Sequence, residues 1–269
     1  MAITLGVDVG GSTTKIVGFD QKILGALQVR AGDQKTSLFG AIGHFLHEYK
    51  IRPEQVEKIV LTGVGAALIE EDIFGIPTEK VNEFEAIGKG GLLLSGERQA
   101  LVVSMGTGTA FVYADEDGCS HVGGSGVGGG TLVGLSSKLL GVKDIDAILE
   151  LAEQGDLSMV DLSISEISTG DVSNLPKDAT AANFGHVKPT AKAGDFALGL
   201  LNMIYQTAGV LSGFYCRGKG IKKVIVTGSL AALPQAKAML GAVGALYDLE
   251  FIIPENAIFA TAIGAASMN

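Results

Sequence analysis

The sequence is short of cysteine, of positive charge and of long apolar runs, and each shortage removes a class of protein. Only two cysteines occur, Cys119 and Cys216, with no CxxC spacing. They make neither a disulfide framework nor a zinc signature. Lysine and arginine total 20 against 29 aspartates and glutamates, a net charge of −9. An acidic surface argues against nucleic-acid backbones and anionic membranes as partners, while leaving room for a local anion site. The N-terminal MAITLGVDVGG lacks a basic n-region and runs straight into a strand-like segment. No secretory signal is expected, and the reducing cytoplasm is the expected compartment. One uncharged run, Phe196 to Cys216, is long enough to span a bilayer, but it carries Asn202, Gln206, Thr207 and Ser212. It reads as a buried helix. A Walker A string, GxxxxGK[ST], is absent.

What is present suits an α/β protein with a sizeable core. Of 269 residues, 47% are apolar and 18% charged, which excludes global disorder. Ile3 to Val9 and Lys15 to Phe19 read as two strands around the turn GGST. Leu101 to Met105 and Ala110 to Tyr113 read as two more around GTGT. A second pair repeats in the same order. Glu57 to Leu68 is EKIVLTGVGAAL and Lys222 to Leu233 is KKVIVTGSLAAL, each a β-branched strand, Thr-Gly and a small-residue helix start. The pattern is one of internal duplication. Helical spacing covers Ser37–Tyr49, Glu85–Leu94, Thr131–Leu140, Asp144–Ala152, Lys237–Tyr247 and Ala257–Met268. The polar break SGERQ at Ser95 to Gln99 separates the halves. The expected domains are residues 1–97, completed by the C-terminal helix at 255–269, and residues 98–254.

The turns carry the chemistry. In GVDVGGSTTK, Asp8 ends an apolar strand, where a carboxylate has no structural use. Gly10 and Gly11 expose backbone N–H groups, Ser12, Thr13 and Thr14 add hydroxyls, and Lys15 adds a cation. A carboxylate beside amides, hydroxyls and a cation suits a polyphosphate with Mg²⁺, although GGS alone would serve an ordinary hairpin turn. SMGTGT is the second copy without the acid, and its amides and Thr107 suit a terminal phosphate. Ser229, after the strand ending at Thr227, faces a nucleotide by the same reasoning. Six of the eight residues from Gly123 to Gly130 are glycine. Gly128 to Gly130 run straight into an apolar helix, the setting of an anion cradle rather than a linker. The GxGxxG at Gly124, Gly126 and Gly129 lacks the strand and acid of a dinucleotide fold.

These segments, in this order, resemble the actin-like ATPase superfamily of sugar kinases, chaperones and actin. VDVGGSTTK, NEF at Asn82 to Phe84, MGTGT, VGGSGVGGGT and above all TAANFGHV at Thr180 to Val187 are similar to type II pantothenate kinases, over nearly the whole chain. The resemblance implies two ribonuclease-H-like domains with ATP and substrate in the cleft between them, a homodimer, and phosphorylation of the terminal hydroxyl of pantothenate at the start of coenzyme A synthesis. It implies phosphate binding by Asp8 to Lys15 and Thr107, with Asp8 holding Mg²⁺ through water. It further implies nucleotide contacts from Gly129, Gly130, Thr131, Leu132, Val133 and Ser229. Glu83 matches the catalytic glutamate. The residues themselves do not separate Glu83 from Glu85, which on a strand would share a face. Thr180 matches a residue reaching the partner's substrate pocket. His186 is expected to be structural or related to the dimer. One position departs: the family has arginine just before VGG, at the substrate or the transferring phosphate, and this chain has His121. Histidine lacks arginine's planar fork and its permanent charge. That leaves a kinase for pantetheine or an N-acetyl sugar, or a switch ATPase of the dehydratase-activator type, as competing expectations. Activators carry cluster-ligating cysteines, and Cys119 and Cys216 have no paired spacing.

Overall fold

The computed structural model describes residues 3–169 and 175–268. In chain order the first half contains β1 (Ile3–Val9), β2 (Thr13–Asp20), β3 (Lys22–Arg30), α1 (Gln34–Glu48), β4 (Val56–Thr62), β5 (Thr78–Lys80) and α2 (Glu83–Ser95). Next come β6 (Ala100–Met105), β7 (Thr109–Asp115), β8 (Gly118–Ser125), α3 (Gly129–Leu139), α4 (Ile145–Ala152), β9 (Leu162–Ser163), α5 (Ile164–Ile167) and β10 (Thr180–Ala182). The chain closes with α6 (Ala193–Lys219), β11 (Lys223–Thr227), α7 (Ala236–Tyr247), β12 (Glu250–Ile252) and α8 (Ala260–Ala266). The fold is α/β with two mixed sheets.

Two compact units emerge. One comprises residues 3–124, 223–232 and 252–268, the other 125–222 and 233–251. The first unit holds both large sheets. One runs β3-β2-β1-β4-β5, antiparallel on the β3 side of β1 and parallel beyond it. The other runs β11-β6-β7-β8, with Ile252 of β12 beyond β11. The two expected hairpins, β1–β2 and β6–β7, are present.

Alternation sorts the side chains of β1 and β2. Leu5, Val7, Val9 and Ile16 point into a core shared with Leu38, Ile42 and Phe45 of α1. Val17, on the opposite face, packs against Ala262 and Ile263 of α8. Asp8 and Lys15 share that opposite face, because they pair directly across the hairpin.

Helix α2 lies against α8 at very close range. A Cβ on Gly90 would run into the carbonyl of Ala260, and one on Gly264 into that of Ala86. Glycine is required at both places for the backbones to approach. This contact fixes the helix whose first residue is Glu83.

The second unit is mostly helical. α6 buries Leu200, Leu201, Ile204, Tyr205 and Ala208 along its length, which accounts for the uncharged run Phe196 to Cys216. No described helix is long and apolar enough to cross a membrane.

Three local expectations change. Lys22–Arg30 is an added edge strand. Gly118–Ser125 is a strand, so the glycine-rich stretch is loop only at 126–128. The expected helix over Ala257–Met268 is a 3-10 turn, Ala257–Phe259, followed by the shorter α8.

Candidate active site

Asp8, next to last in β1, is only 8% exposed, and Lys15 of β2 stands opposite it at 7%. Lys15 Nζ lies 3.8 Å from Asp8 Oδ2, an ion pair too long for a hydrogen bond. Burial pushes the Asp8 carboxyl up, and the Lys15 ammonium only partly opposes it. A buried, loosely paired carboxylate is costly to the fold, which makes the position a candidate for function.

Glu83 joins this pair from α2. Asn82 caps the helix, its side chain accepting from the N–H groups of Phe84 at 2.8 Å and Glu85 at 3.3 Å. Glu83 is therefore the first helical residue, and the strand expected to carry Glu83 and Glu85 on one face is replaced by a helical turn. Two residues apart on a helix, the carboxyls point about 200° apart. Glu83 is half-buried and Glu85 exposed. The Glu83 carboxyl is raised by burial first and by the Asp8 charge second, with Lys15 opposing. The three groups thus feel one another's fields. An ionised carboxylate with a raised pKa is a better proton acceptor.

The two hairpin turns touch. Ser12 Oγ lies 3.0 Å from Thr107 Oγ1, joining the first hairpin turn to the second. Gly10 N–H donates to the Thr13 carbonyl at 3.0 Å, and Gly106 N–H to that of Gly108 at 2.9 Å. Gly11 has open space where a Cβ would stand. Thr14 is fully buried and its hydroxyl has no partner among the described residues. It pairs with Val9 and so faces the α1 core, away from Asp8. Ser229 opens a 3-10 turn directly after β11 and Gly228.

His121 lies on β8 with its ring flat against Phe84, centroids 3.8 Å apart and planes 12° apart. Phe84 follows Glu83 in the chain, so the stack adjoins the candidate base. The motif NEF hinted at Glu83; nothing in the sequence joined His121 to Phe84.

In the second unit, Gly128 caps α3. Leu132 N–H makes the first helical bond, to the Gly128 carbonyl at 3.0 Å. Gly129, Gly130 and Thr131 supply first-turn N–H groups, which have no intrahelical acceptor. The Thr131 hydroxyl accepts from Gly128 N–H and donates to the Gly126 carbonyl, fixing the turn. Leu132 is fully buried, leaving it a packing role. Thr180 sits on β10 beside a buried aspartate, Asp161, which no sequence motif marks. His186 Nδ1 meets Glu166 Oε1 at 2.8 Å. The Ser163 N–H, together with His186, holds Glu166 down to about 2. His186 therefore anchors α5.

Among the described residues no cluster of three or more His, Cys, Asp or Glu suits a metal ion by protein ligands alone. Cys119 is half-buried and Cys216 buried, and both are free.

Comparison with known proteins adds a family. Residues 99–243 match the family described as Fumble. The type II pantothenate kinase of Staphylococcus aureus (strain USA300) is 35% identical over 188 residues, 68% of this chain and 66% of the relative. That of the bovine strain RF122 / ET3-1 is 34% identical over the same span. The matched stretch thus falls just under two thirds of those relatives' length. Among solved structures, the ADPNP-bound activator of 2-hydroxyisocaproyl-CoA dehydratase from Clostridium difficile superposes with a TM-score of 0.69 at 17% identity, covering 98% of this chain and 92% of that one. A ROK family glucokinase from Streptomyces griseus, with glucose and AMPPNP, gives 0.64 at 15% identity, covering 98% of each chain. These structures share the actin-like ATPase and sugar-kinase fold.

Proposed function

The chain belongs to the Fumble family, and from that premise we propose that it is an ATP-dependent kinase phosphorylating the terminal hydroxyl of pantothenate. The observation that carries this reading is the grouping of Asp8, Lys15 and Glu83, together with the contact that joins the two glycine turns. Phosphoryl transfer asks mainly for positioning and charge neutralisation, and these residues supply both. Lys15 and the turn N–H groups beyond Gly10, whose own N–H is held by the Thr13 carbonyl, hold phosphate oxygens. Thr107 and its turn hold the terminal phosphate from the other side. Glu83 takes the proton of the attacking hydroxyl, its raised pKa making it the better base.

Mg²⁺ fits the residues present. The ion takes one or two carboxylates together with water and phosphate oxygens, and Asp8 offers one buried hard-oxygen donor beside the turn. Bound through water at Asp8, it would supply neutralisation of charge on the transferring group.

The remaining assignments follow the same reading. Gly129, Gly130, Thr131 and Val133 at the start of α3, and Ser229 after β11, contact the nucleotide, while buried Leu132 packs beneath them. His121 and Thr180 contact the acceptor. The proposed domains are residues 1–97 with 255–269, and 98–254, and each contains one large sheet. A homodimer suits the exposed Leu211 and Phe214 of α6 and Leu246 of α7. Two free cysteines suit the reducing cytoplasm. They also disfavour a cluster-carrying activator, despite the shared fold.

Coupled ADP release with pantothenate, pantetheine and N-acetyl sugars tests the reading. Pantothenate should raise ADP release well above that with ATP alone. Stimulation by a sugar, with none by pantothenate, would overturn the acceptor assignment.

A further inference from the structure

The sequence singled out TAANFGHV without giving it chemistry. In the structure this motif is wrapped around one buried carboxylate. Asp161 is 4% exposed. Its Oδ1 accepts from Phe184 N–H at 2.9 Å. Its Oδ2 accepts from Asn202 Nδ2 at 2.8 Å, Asn183 Nδ2 at 3.3 Å and Thr180 Oγ1 at 3.4 Å. Asn202 Nδ2 also donates to Thr180 Oγ1 at 3.3 Å.

Among the described residues, these contacts orient the hydrogens around Thr180. A carboxylate only accepts, so the Thr180 hydroxyl donates to Asp161. The two N–H bonds of the Asn202 amide go to Asp161 and Thr180. Thr180 Oγ1 has then spent its proton and one of its two lone pairs. Among the described residues one lone pair remains, on a residue that is only half-buried.

We propose that Asp161 and Asn202 are positioning residues that hold Thr180 as an obligate hydrogen-bond acceptor, so that the acceptor substrate meets it with an N–H donor. This rests on the pantothenate reading, in which the donor is the amide N–H of the substrate chain. The network fixes the polarity of a hydroxyl with a charge that the substrate never touches. A hydroxyl free to rotate donates to an ester oxygen as readily as it accepts from an amide. A hydroxyl locked by Asp161 leaves an ester oxygen facing a lone pair.

The test compares pantothenate with its ester analogue, in which oxygen replaces the amide N–H, by kcat/KM in the full-length enzyme. Wild type should prefer the amide by about tenfold, the worth of one hydrogen bond plus the unpaired group left behind, mostly through KM. Thr180→Val, at a half-buried site, should remove that preference. Asp161→Asn should remove or reverse it, because its amide donates toward Thr180 and turns the hydroxyl outward. A purely structural role for Asp161 would lower the melting temperature and both rates together, with the amide-to-ester ratio unchanged. An unchanged ratio in both variants overturns the proposal and leaves the kinase reading standing. Failure of wild type to phosphorylate either compound overturns both.

Discussion

At the end of β1, Asp8 stands opposite Lys15; at the matching place in β6, Ser104 stands opposite Ala110. The pairs just outside them, Val9 with Thr14 and Met105 with Thr109, close the two turns. The parallel neighbours match too: Thr62 of β4 lies beside Asp8, and Thr227 of β11 beside Ser104. Each threonine is followed by a glycine in the same rare conformation, Gly63 at φ +87° and Gly228 at φ +88°. A Cβ on Gly63 would lie 2.7 Å from the Val9 carbonyl, and one on Gly228 2.6 Å from that of Met105. The backbone scaffold is built twice and the charge is placed once. Both turns offer N–H groups and hydroxyls, whereas only the first has a buried ion pair and a carboxylate helix end facing it. The difference separates what the fold needs, which is duplicated, from what the reaction needs, which is not.

Breaking the comparison in activity gives the largest effect. Asp8→Asn should lower turnover by about a hundredfold or more, the scale of losing one preorganised charge at a transition state. Ser104→Ala should stay within about twofold, as for a site outside the chemistry. Steady-state ADP release measures both. Equal losses would mean that the two turns share the charge work.

Scaffold symmetry comes next. Gly63→Ala and Gly228→Ala should each cost roughly 1–3 kcal/mol, because both force a side chain into left-handed backbone against a carbonyl. Thermal melts should show similar losses. Only Gly63→Ala should also slow turnover beyond its stability loss, since its Cβ would meet Asp8 Oδ1 as well.

A smaller effect concerns pH. Asp8 binds its proton more tightly folded than unfolded, because burial disfavours its charge. Folding therefore loses stability as pH rises from the unfolded pKa through the raised folded value, and above that the cost is complete. Replacing the pair together, Asp8→Asn with Lys15→Met, removes the cost without stranding the lysine. The double variant should melt about 2 °C or more above wild type at pH 8, with the gap narrowing in acid. A gap that widened in acid would reverse the assigned cause.

The smallest effect separates the paired threonines. Thr62 Oγ1 donates to the Val81 carbonyl at 3.3 Å, whereas the buried Thr227 hydroxyl has no partner among the described residues. Thr62→Val should cost about 1 kcal/mol and Thr227→Val should be neutral or slightly stabilising. Denaturant midpoints measure the contrast.

Much of this was legible in the sequence, and for a physical reason. The hairpins show strand-like apolar segments around glycine turns, and the duplication repeats Thr-Gly at a fixed offset, so local chemistry announced them. Asp8 and Lys15 stood out because a charge ending an apolar strand needs a cause. The strands Lys22–Arg30 and Gly118–Ser125 were hidden. Their residues are largely half-buried or exposed, and the second is rich in glycine, so pairing to a neighbour rather than propensity makes them strands. Glu83 was separable from Glu85 only by motif, because the start of α2 depends on the Asn82 cap. The contacts of Thr180 were out of reach, since Asp161 lies 19 residues away and Asn202 lies 22. Such pairings are set by tertiary packing and leave no local signal.

Pantothenate-dependent ADP release by wild type, Glu83→Gln and Glu85→Gln tests the central claim most directly. The claim is that a kinase base stands on α2 beside the single charged turn. Wild type should respond to pantothenate, Glu83→Gln should lose about a hundredfold or more while still binding ATP, and Glu85→Gln should stay near wild type. Full activity in Glu83→Gln, or loss in Glu85→Gln instead, would contradict it.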